Sequence, residues 1–248
     1  MTAKAHLDTS IVGMQRQGTG NVAGETPATA TGTVALPKCA LGIVILGAGA
    51  SSRMGRAKLL LRWGATSVIG HLLRRWRTLG ARQIAVVCRP GDTALAKELD
   101  RRRFPARQRI ENPRPERGMF SSIVCAANWD GWDDALTAWV IVLGDQPHLS
   151  PATLRALLEF HRRQPQAICQ PAYGGRRRHP VILPRAAFGE LRLSPAASLK
   201  DFLQRTTIPI IECPIDDSSL TLDLDWPQDY ARLLPQTKRT GHERRELG

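Results

Sequence analysis

Cysteine is sparse in this 248-residue chain: five residues, at 39, 88, 125, 169 and 213, an odd number with no CxxC spacing. That excludes a disulfide scaffold and gives no support to a zinc ribbon or a dithiol redox motif. It fits a reducing, cytoplasmic setting, with Cys88, Cys125 and Cys169 expected as small core residues in apolar stretches. Long apolar runs are missing as well. The longest, Ala40–Ala50, is half of the ~20 residues that a membrane-crossing helix needs. No basic segment leads into an apolar one at the N-terminus, so no secretory signal is visible. Aromatic residues are only 5% of the chain, and no helix-turn-helix, zinc finger or RNP motif occurs. A nucleic-acid partner is therefore not expected, despite the charge. Lysine is the last scarcity: it occurs six times, against 29 arginines.

What is present is a strongly basic globular composition. Hydrophobic residues are 42%, charged residues 23% and the net charge is +13. Such a surface favours anionic partners, phosphorylated small molecules among them, although a basic solvated surface would read the same way. Residues 1–37 are rich in Gly, Thr, Ala and Ser without apolar periodicity and read as a disordered leader; 236–248 reads as a basic flexible tail. One domain is expected between them, over 38–235.

Within it, short apolar runs alternate with helical patterns. Strands are expected at Gly42–Leu46, Gln83–Cys88, Arg109–Glu111, Ala138–Leu143, Ile168–Tyr173, Pro180–Leu183 and Ile208–Cys213. Helices are expected at Ser67–Leu79, Asp92–Arg102, Phe120–Trp129, Ser150–Arg163 and Ala197–Gln204, with Asp92 and Ser150 as caps. This alternation predicts an α/β fold, Rossmann-like and three-layered (α/β/α), with a mostly parallel sheet. Ligands in such sheets bind beyond the carboxyl ends of the strands, so the loops after Leu46, Glu111 and Leu143 should carry the chemistry.

The first loop, LGAGASSRMGRAK from Leu46 to Lys58, combines small residues with two cations, Arg53 and Lys58. Its backbone N–H groups can approach phosphate oxygens closely. It is neither a P-loop, because Leu59 follows Lys58, nor a dinucleotide fingerprint, because Ser52 stands at the third glycine. The second loop, NPRPERGMFSSI, brings Asn112, Gly118, Ser121 and Ser122 to a helix start, where N–H groups and hydroxyls can meet anions or a base edge; ordinary capping is the competing reading. The third, VLGDQPH, puts Asp145 at the end of a buried strand, as suits one carboxylate of a Mg2+ site, or simply a turn. A glycine-arginine loop, PAYGGRRRHP, contains His179, and LDLDWPQDY offers Asp223, Asp225 and Asp229, either as a second metal carboxylate or as helix caps.

In this order the motifs resemble the molybdenum cofactor cytidylyltransferases, nucleotidyltransferases of molybdenum cofactor maturation with a MobA-like NTP transferase domain. The resemblance runs from about Gly42 to Tyr230 and rests on LGAGASSRMGRAK, NPRPERGMFSSI, LGDQP, the His-Pro of GGRRRHPV and LDLDWPQDY. It departs from the family pattern at Gly47, usually Ala, and at Arg178, usually Gly. The resemblance implies the nucleotide-diphospho-sugar transferase type of fold and transfer of CMP from CTP to the phosphate of molybdopterin, with loss of pyrophosphate. It implies catalytic roles for Arg53, Lys58 and Asp145, and Mg2+ on Asp145 and Asp225. Leu46, Ala48, Gly49, Ser51, Asn112, Gly118, Ser121, Ser122 and His179 would line the substrates. Ala48-Gly49, where guanylyl-transferring relatives have Gly-Gly, points to CTP over GTP. Partners would be small molecules, with transient contact to a molybdoenzyme or its chaperone. The same fold acting on GTP or on another phosphorylated acceptor, and a cofactor-binding chaperone without turnover, are the alternatives.

Overall fold

In a computed structural model, residues 39–49, 54 and 57–234 are described. The expected leader and tail lie outside them. The main sheet contains β1 (Leu41–Leu46), β4 (Gln83–Cys88), β5 (Arg109–Glu111), β6 (Ala138–Leu143), β7 (Ile168–Tyr173), β9 (Val181–Pro184) and β10 (Ile210–Pro214). Their spatial order is β10-β7-β9-β6-β1-β4-β5, and β8 (Arg176–Arg177) pairs with β7. Only β8 and β9 run antiparallel to their neighbours. The helices are α1 (Val68–Thr78), α2 (Thr93–Arg101), α3 (Met119–Ala127), α4 (Pro151–Arg163), α5 (Arg185–Glu190), α6 (Leu199–Arg205) and α7 (Pro227–Leu233).

β1 shows why this is a three-layer fold. It is apolar at every position, as a strand covered on both faces must be. Alternate side chains point to opposite faces. Ile43 and Ile45 enter one core with α1 and α4, while Val44 enters the other with α3, α5 and α6. Gly42 sits opposite Trp139 of β6, and a Cβ there would lie 2.7 Å from the indole, so glycine at this position makes room for the ring.

Local signals set the helix starts. Asp92 accepts from Leu95 N at 2.9 Å and Ser150 from Thr153 N at 3.0 Å, so both expected caps form. Ser67 caps α1 and also donates to buried Glu98 at 2.6 Å, which Arg102 pairs with at 2.7 Å. This knot ties α1 to α2. The expected strand at Pro180–Leu183 is found one residue later and antiparallel, wedged between β6 and β7. The small hairpin of β2 (Arg62–Trp63) and β3 (Thr66–Ser67), together with β8 and α5, was not legible from periodicity, because each is too short to show a period. Cys169 is buried as expected, whereas Cys88 and Cys125 are only half-buried at the ends of their elements; all five thiols are free.

Candidate active site

The sheet reverses its winding at β1: the chain runs outward through β4 and β5 on one side, and β6 then joins on the other. Leu46 and Leu143 are register partners, so these two parallel strands end side by side. A crevice opens at such a reversal, beyond the carboxyl ends of the strands. The loops that flank it carry Lys58 and Asp145.

Leu59 fixes how close those loops come. It is buried between Gly47 and Gly144. A Cβ on Gly144 would lie 2.8 Å from the Leu46 carbonyl and 2.9 Å from Leu59 Cδ2; one on Gly47 would lie 2.9 Å from both Leu59 Cδ1 and the Val87 carbonyl. Gly47, the departure from the family's alanine, is therefore a close-approach position, and its N–H donates to Val87 O at 2.8 Å. Gly49 has no described residue within 4 Å of a Cβ placed on it, and Ala48 is buried on the α3 side of the sheet.

Lys58 begins a short 3-10 turn, Lys58–Leu60, directly above this plug. Its Nζ lies 2.6 Å from Asp225 Oδ1 and 3.5 Å from Asp145 Oδ2. The structure thus brings together three of the expected residues, from segments far apart in sequence. Burial pushes the Asp145 carboxyl above the usual range; Lys58 pulls it down and Asp223 pushes it up further. Among the described residues, buried Asp145 Oδ1 has no side-chain hydrogen-bond partner. An unpartnered carboxylate oxygen beside two more carboxylates is a donor set that fits a hard divalent cation. Among the described residues there is no group of three or more ligands that would hold a metal by itself. Mg2+ bound through one or two carboxylates and substrate phosphates does not require one.

The C-terminal segment is strapped onto the third loop. Leu224 N donates to Asp145 O at 3.0 Å, Gln146 Nε2 to Asp223 Oδ1 at 2.9 Å, and His148 Nε2 lies 3.0 Å from Ser219 O. Gln146 and His148 were not singled out from sequence; Gln-Pro and His look like turn residues until the strap they bind is known. Asp229, the third residue of α7, accepts from the N-cap Trp226 N at 2.9 Å, so of the three late aspartates it is the one that serves the helix start.

Around the second loop the expected residues meet one another. Asn112 donates to Ser121 Oγ at 2.8 Å and to Ser122 Oγ at 3.0 Å, and accepts from Arg114 N at 2.9 Å. Their side chains shape the loop that ends β5 and starts α3. Gly118, at φ +85°, precedes α3, which has no side-chain cap, and this leaves backbone N–H groups of the first turn as donors. His179 lies just before β9, next to the Ile141–Val181 pair. Burial pushes its imidazole down to about 4, partly offset by the Ile141 carbonyl. It is neutral at pH 7 and is no cationic clamp. Three buried polar atoms here have no hydrogen-bond partner among the described residues: Gln170 Oε1, Arg178 Nε and His179 Nδ1. Ser51 and Arg53 lie outside the described residues.

A doubly flanked parallel sheet with a lysine-carboxylate centre at its winding reversal defines an NTP-transferase type of α/β protein. Residues 43–209 match the MobA-like NTP transferase domain, and the chain belongs to that family of nucleotidyltransferase domains. Among solved structures it is similar to Rv0371c of Mycobacterium tuberculosis H37Rv, at 29% identity and a TM-score of 0.60, covering 79% of this chain and 97% of that one. The Rv0371c complex with manganese is 27% identical over 79% of this chain and 98% of that one, with a TM-score of 0.60. Molybdopterin-guanine dinucleotide biosynthesis protein A of Archaeoglobus fulgidus shares the fold, with a TM-score of 0.58 at 18% identity over 78% of this chain and 96% of that one. A curated relative, the bifunctional protein GlmU of Corynebacterium glutamicum (strain R), is 32% identical over 136 residues, 51% of this chain and 26% of GlmU. The chain matches about a quarter of the length of such relatives. No helix among the described residues is long and apolar enough to cross a membrane.

Proposed function

We propose that this protein transfers CMP from CTP to the terminal phosphate of molybdopterin and releases pyrophosphate. The observation that carries the reading is the Lys58–Asp145–Asp225 centre, with its unpartnered carboxylate oxygen, at the winding reversal of a MobA-like domain. Asp145 and Asp225 would hold Mg2+. That ion, when bound, supplies positive charge to the phosphate oxygens. Manganese in the Rv0371c complex supports a divalent ion in this kind of domain.

The remaining work belongs to the chain. Lys58 is largely buried and pairs with both carboxylates, so its ammonium stands at the crevice where a triphosphate would lie. Backbone N–H groups at Ala48, Gly49 and the start of α3 add donors, with Asn112, Ser121 and Ser122 holding that loop in shape. Ser51 and Arg53 complete the first loop in this reading. A phosphate monoester is already ionised at neutral pH, since its second pKa is about 6. The attacking group therefore needs no general base, and catalysis is positioning and charge stabilisation. Neutral His179 can hydrogen-bond an acceptor but not balance its charge. The protein would act in the cytoplasm on small molecules and hand its product to a molybdoenzyme or chaperone.

A second reading keeps the chemistry and changes the acceptor. Arg178, where the family pattern has glycine, holds a buried Nε without a partner, and that atom would suit an oxygen on a different phosphorylated compound. One experiment separates the two. The protein is incubated with CTP or GTP, Mg2+ and molybdopterin or other phosphorylated acceptors, pyrophosphate is quantified and the product is identified by mass spectrometry. A CMP–molybdopterin adduct is expected. Pyrophosphate release only with another acceptor would favour the second reading. Nucleotide and cofactor binding with no release would make the protein a cofactor chaperone.

A further inference from the structure

Away from the crevice, α1 and the first two turns of α4 border an open surface pocket of about 160 Å3. His71, Arg74, Arg75, Thr78, Pro151 and Arg155 line it. Three guanidinium groups therefore share one small space. Arg75 donates to the Leu149 carbonyl and to His71 Nε2 at 3.0 Å, and no ion pair joins Arg74, Arg75 or Arg155 to a carboxylate among the described residues. The acids on adjoining segments are engaged elsewhere. Glu159 pairs with Arg162 and Arg163, and Asp217 is bonded to Thr153 and Ser219.

Charge crowding without counter-charge has a cost, and it is visible in Arg75: burial, then Arg74 and Arg155, hold its guanidinium below the usual range. His71 is pushed down to about 4 by burial, then by Arg75 and Arg74, partly offset by the Pro147 carbonyl. Because Arg75 donates to its Nε2, the imidazole is an acceptor there and adds no positive charge. The cavity thus presents three cations, two of them on exposed, movable stems, at the N-terminal end of a 13-residue helix whose own partial charge is positive.

We propose that this cavity is a second anion site, separate from the Lys58 centre, that takes a phosphate-bearing small molecule. Guanidinium forks match phosphate oxygens in pairs, and an occupant would supply the charge that no carboxylate here supplies. Arg75 also places the site one hydrogen bond from Leu149, in the loop that carries Asp145. An occupant is thereby coupled to the catalytic loop without touching it.

The test uses inorganic phosphate and pyrophosphate in calorimetric titrations of the full chain. Lys58→Ala first blunts the catalytic crevice. This variant should still bind one pyrophosphate, and adding Arg74→Ala with Arg155→Ala should weaken that binding tenfold or more. Adding Arg77→Ala with Arg163→Ala removes the same charge from the same two helices outside the cavity and should leave binding within about twofold. In otherwise wild-type protein, the Arg74/Arg155 pair should remove one of two sites. The phosphate arm tells whether one phosphoryl group suffices or two are needed. The proposal is overturned if Lys58→Ala binds neither anion, if the Arg74/Arg155 pair changes nothing, or if the control pair weakens binding equally.

Discussion

Replacing Asp145 by Asn should make the protein more stable and nearly inactive. Its Oδ2 lies 3.5 Å from Lys58 Nζ. At an effective dielectric of about 20, a unit pair at that distance attracts by about 5 kcal/mol before desolvation is counted. Opposing terms are larger in sum: the carboxylate is taken out of water, and Asp223 repels it. The net result is a carboxyl held above its usual range. Lys58 also keeps Asp225 at 2.6 Å, so removing the Asp145 charge does not strand a buried cation. The sign at each pH follows. Below about 4, the ordinary aspartate range, Asp145 is neutral folded and unfolded, and the variant should melt like wild type. As pH rises through the folded value, ionisation opposes folding in wild type only, and the variant's advantage grows to a plateau. Denaturant midpoints from pH 3 to 8, with divalent ions chelated, measure this. Turnover, followed as Mg2+-dependent pyrophosphate release, should fall by about 10²–10³, the usual loss when one element of charge stabilisation is removed. A variant less stable at neutral pH, or one that keeps its turnover, would refute the reasoning and leave Asp145 a turn residue.

Lys58→Ala should likewise slow pyrophosphate release by about 10²–10³, and near-normal rates would remove Lys58 from the phosphate site. Gly144→Ala places a methyl 2.8 Å from the Leu46 carbonyl and should cost about 1–3 kcal/mol in a urea melt, as overpacking does. Gly49→Ala, with no described residue within 4 Å, should change stability by less than about 0.5 kcal/mol. Ala48→Gly should relax a preference for CTP over GTP, read as the ratio of kcat/KM values. Because the methyl is buried, it should also lower stability by roughly 0.8 kcal/mol; an unchanged ratio would move base selection elsewhere.

The sequence made the sheet legible where a strand is buried on both faces. β1 and β6 are unbroken apolar runs and β4 is one from Ile84 on, and the glycines after β1 and β6 marked the ends that matter. Caps were legible for a similar reason: Asp92 and Ser150 act on N–H groups three residues away. What escaped is non-local or too short to be periodic. Nothing in Pro180–Leu183 says that the strand is antiparallel, because direction is set by which neighbours it enters between. Asp145, Lys58 and Asp225 were each visible as candidates, but their meeting was not, since a 2.6 Å contact across 167 residues depends on the whole sheet. The side chains of Asn112, Ser121 and Ser122 read equally as ligand contacts or as ordinary caps, and in the structure they hydrogen-bond to one another without capping α3. Polar residues at a helix start serve capping and binding equally well, and only geometry separates the two.

The strap formed by residues 219–225 gives the late aspartates a role that spacing could not assign. Asp223 is held by Gln146, Leu224 by the Asp145 carbonyl, and Asp225 by Lys58. Each of these partners lies in a loop that follows a central strand, so the end of the domain is read against both loops at once. The buried Leu224 side chain, 0% exposed in the core beneath α1 and α4, anchors the strap between the two flanking carboxylates. In this aspartate–leucine–aspartate triplet the two acids meet Gln146 and Lys58 while the leucine between them is buried. That alternation lets a single short segment seal the core and put negative charge in the crevice. It also explains why Asp145 is crowded rather than simply paired: the strap that supplies Asp225 to Lys58 necessarily brings Asp223 alongside. A cation entering the crevice would relieve that crowding, so the same geometry that raises the Asp145 carboxyl would also suit a divalent ion there.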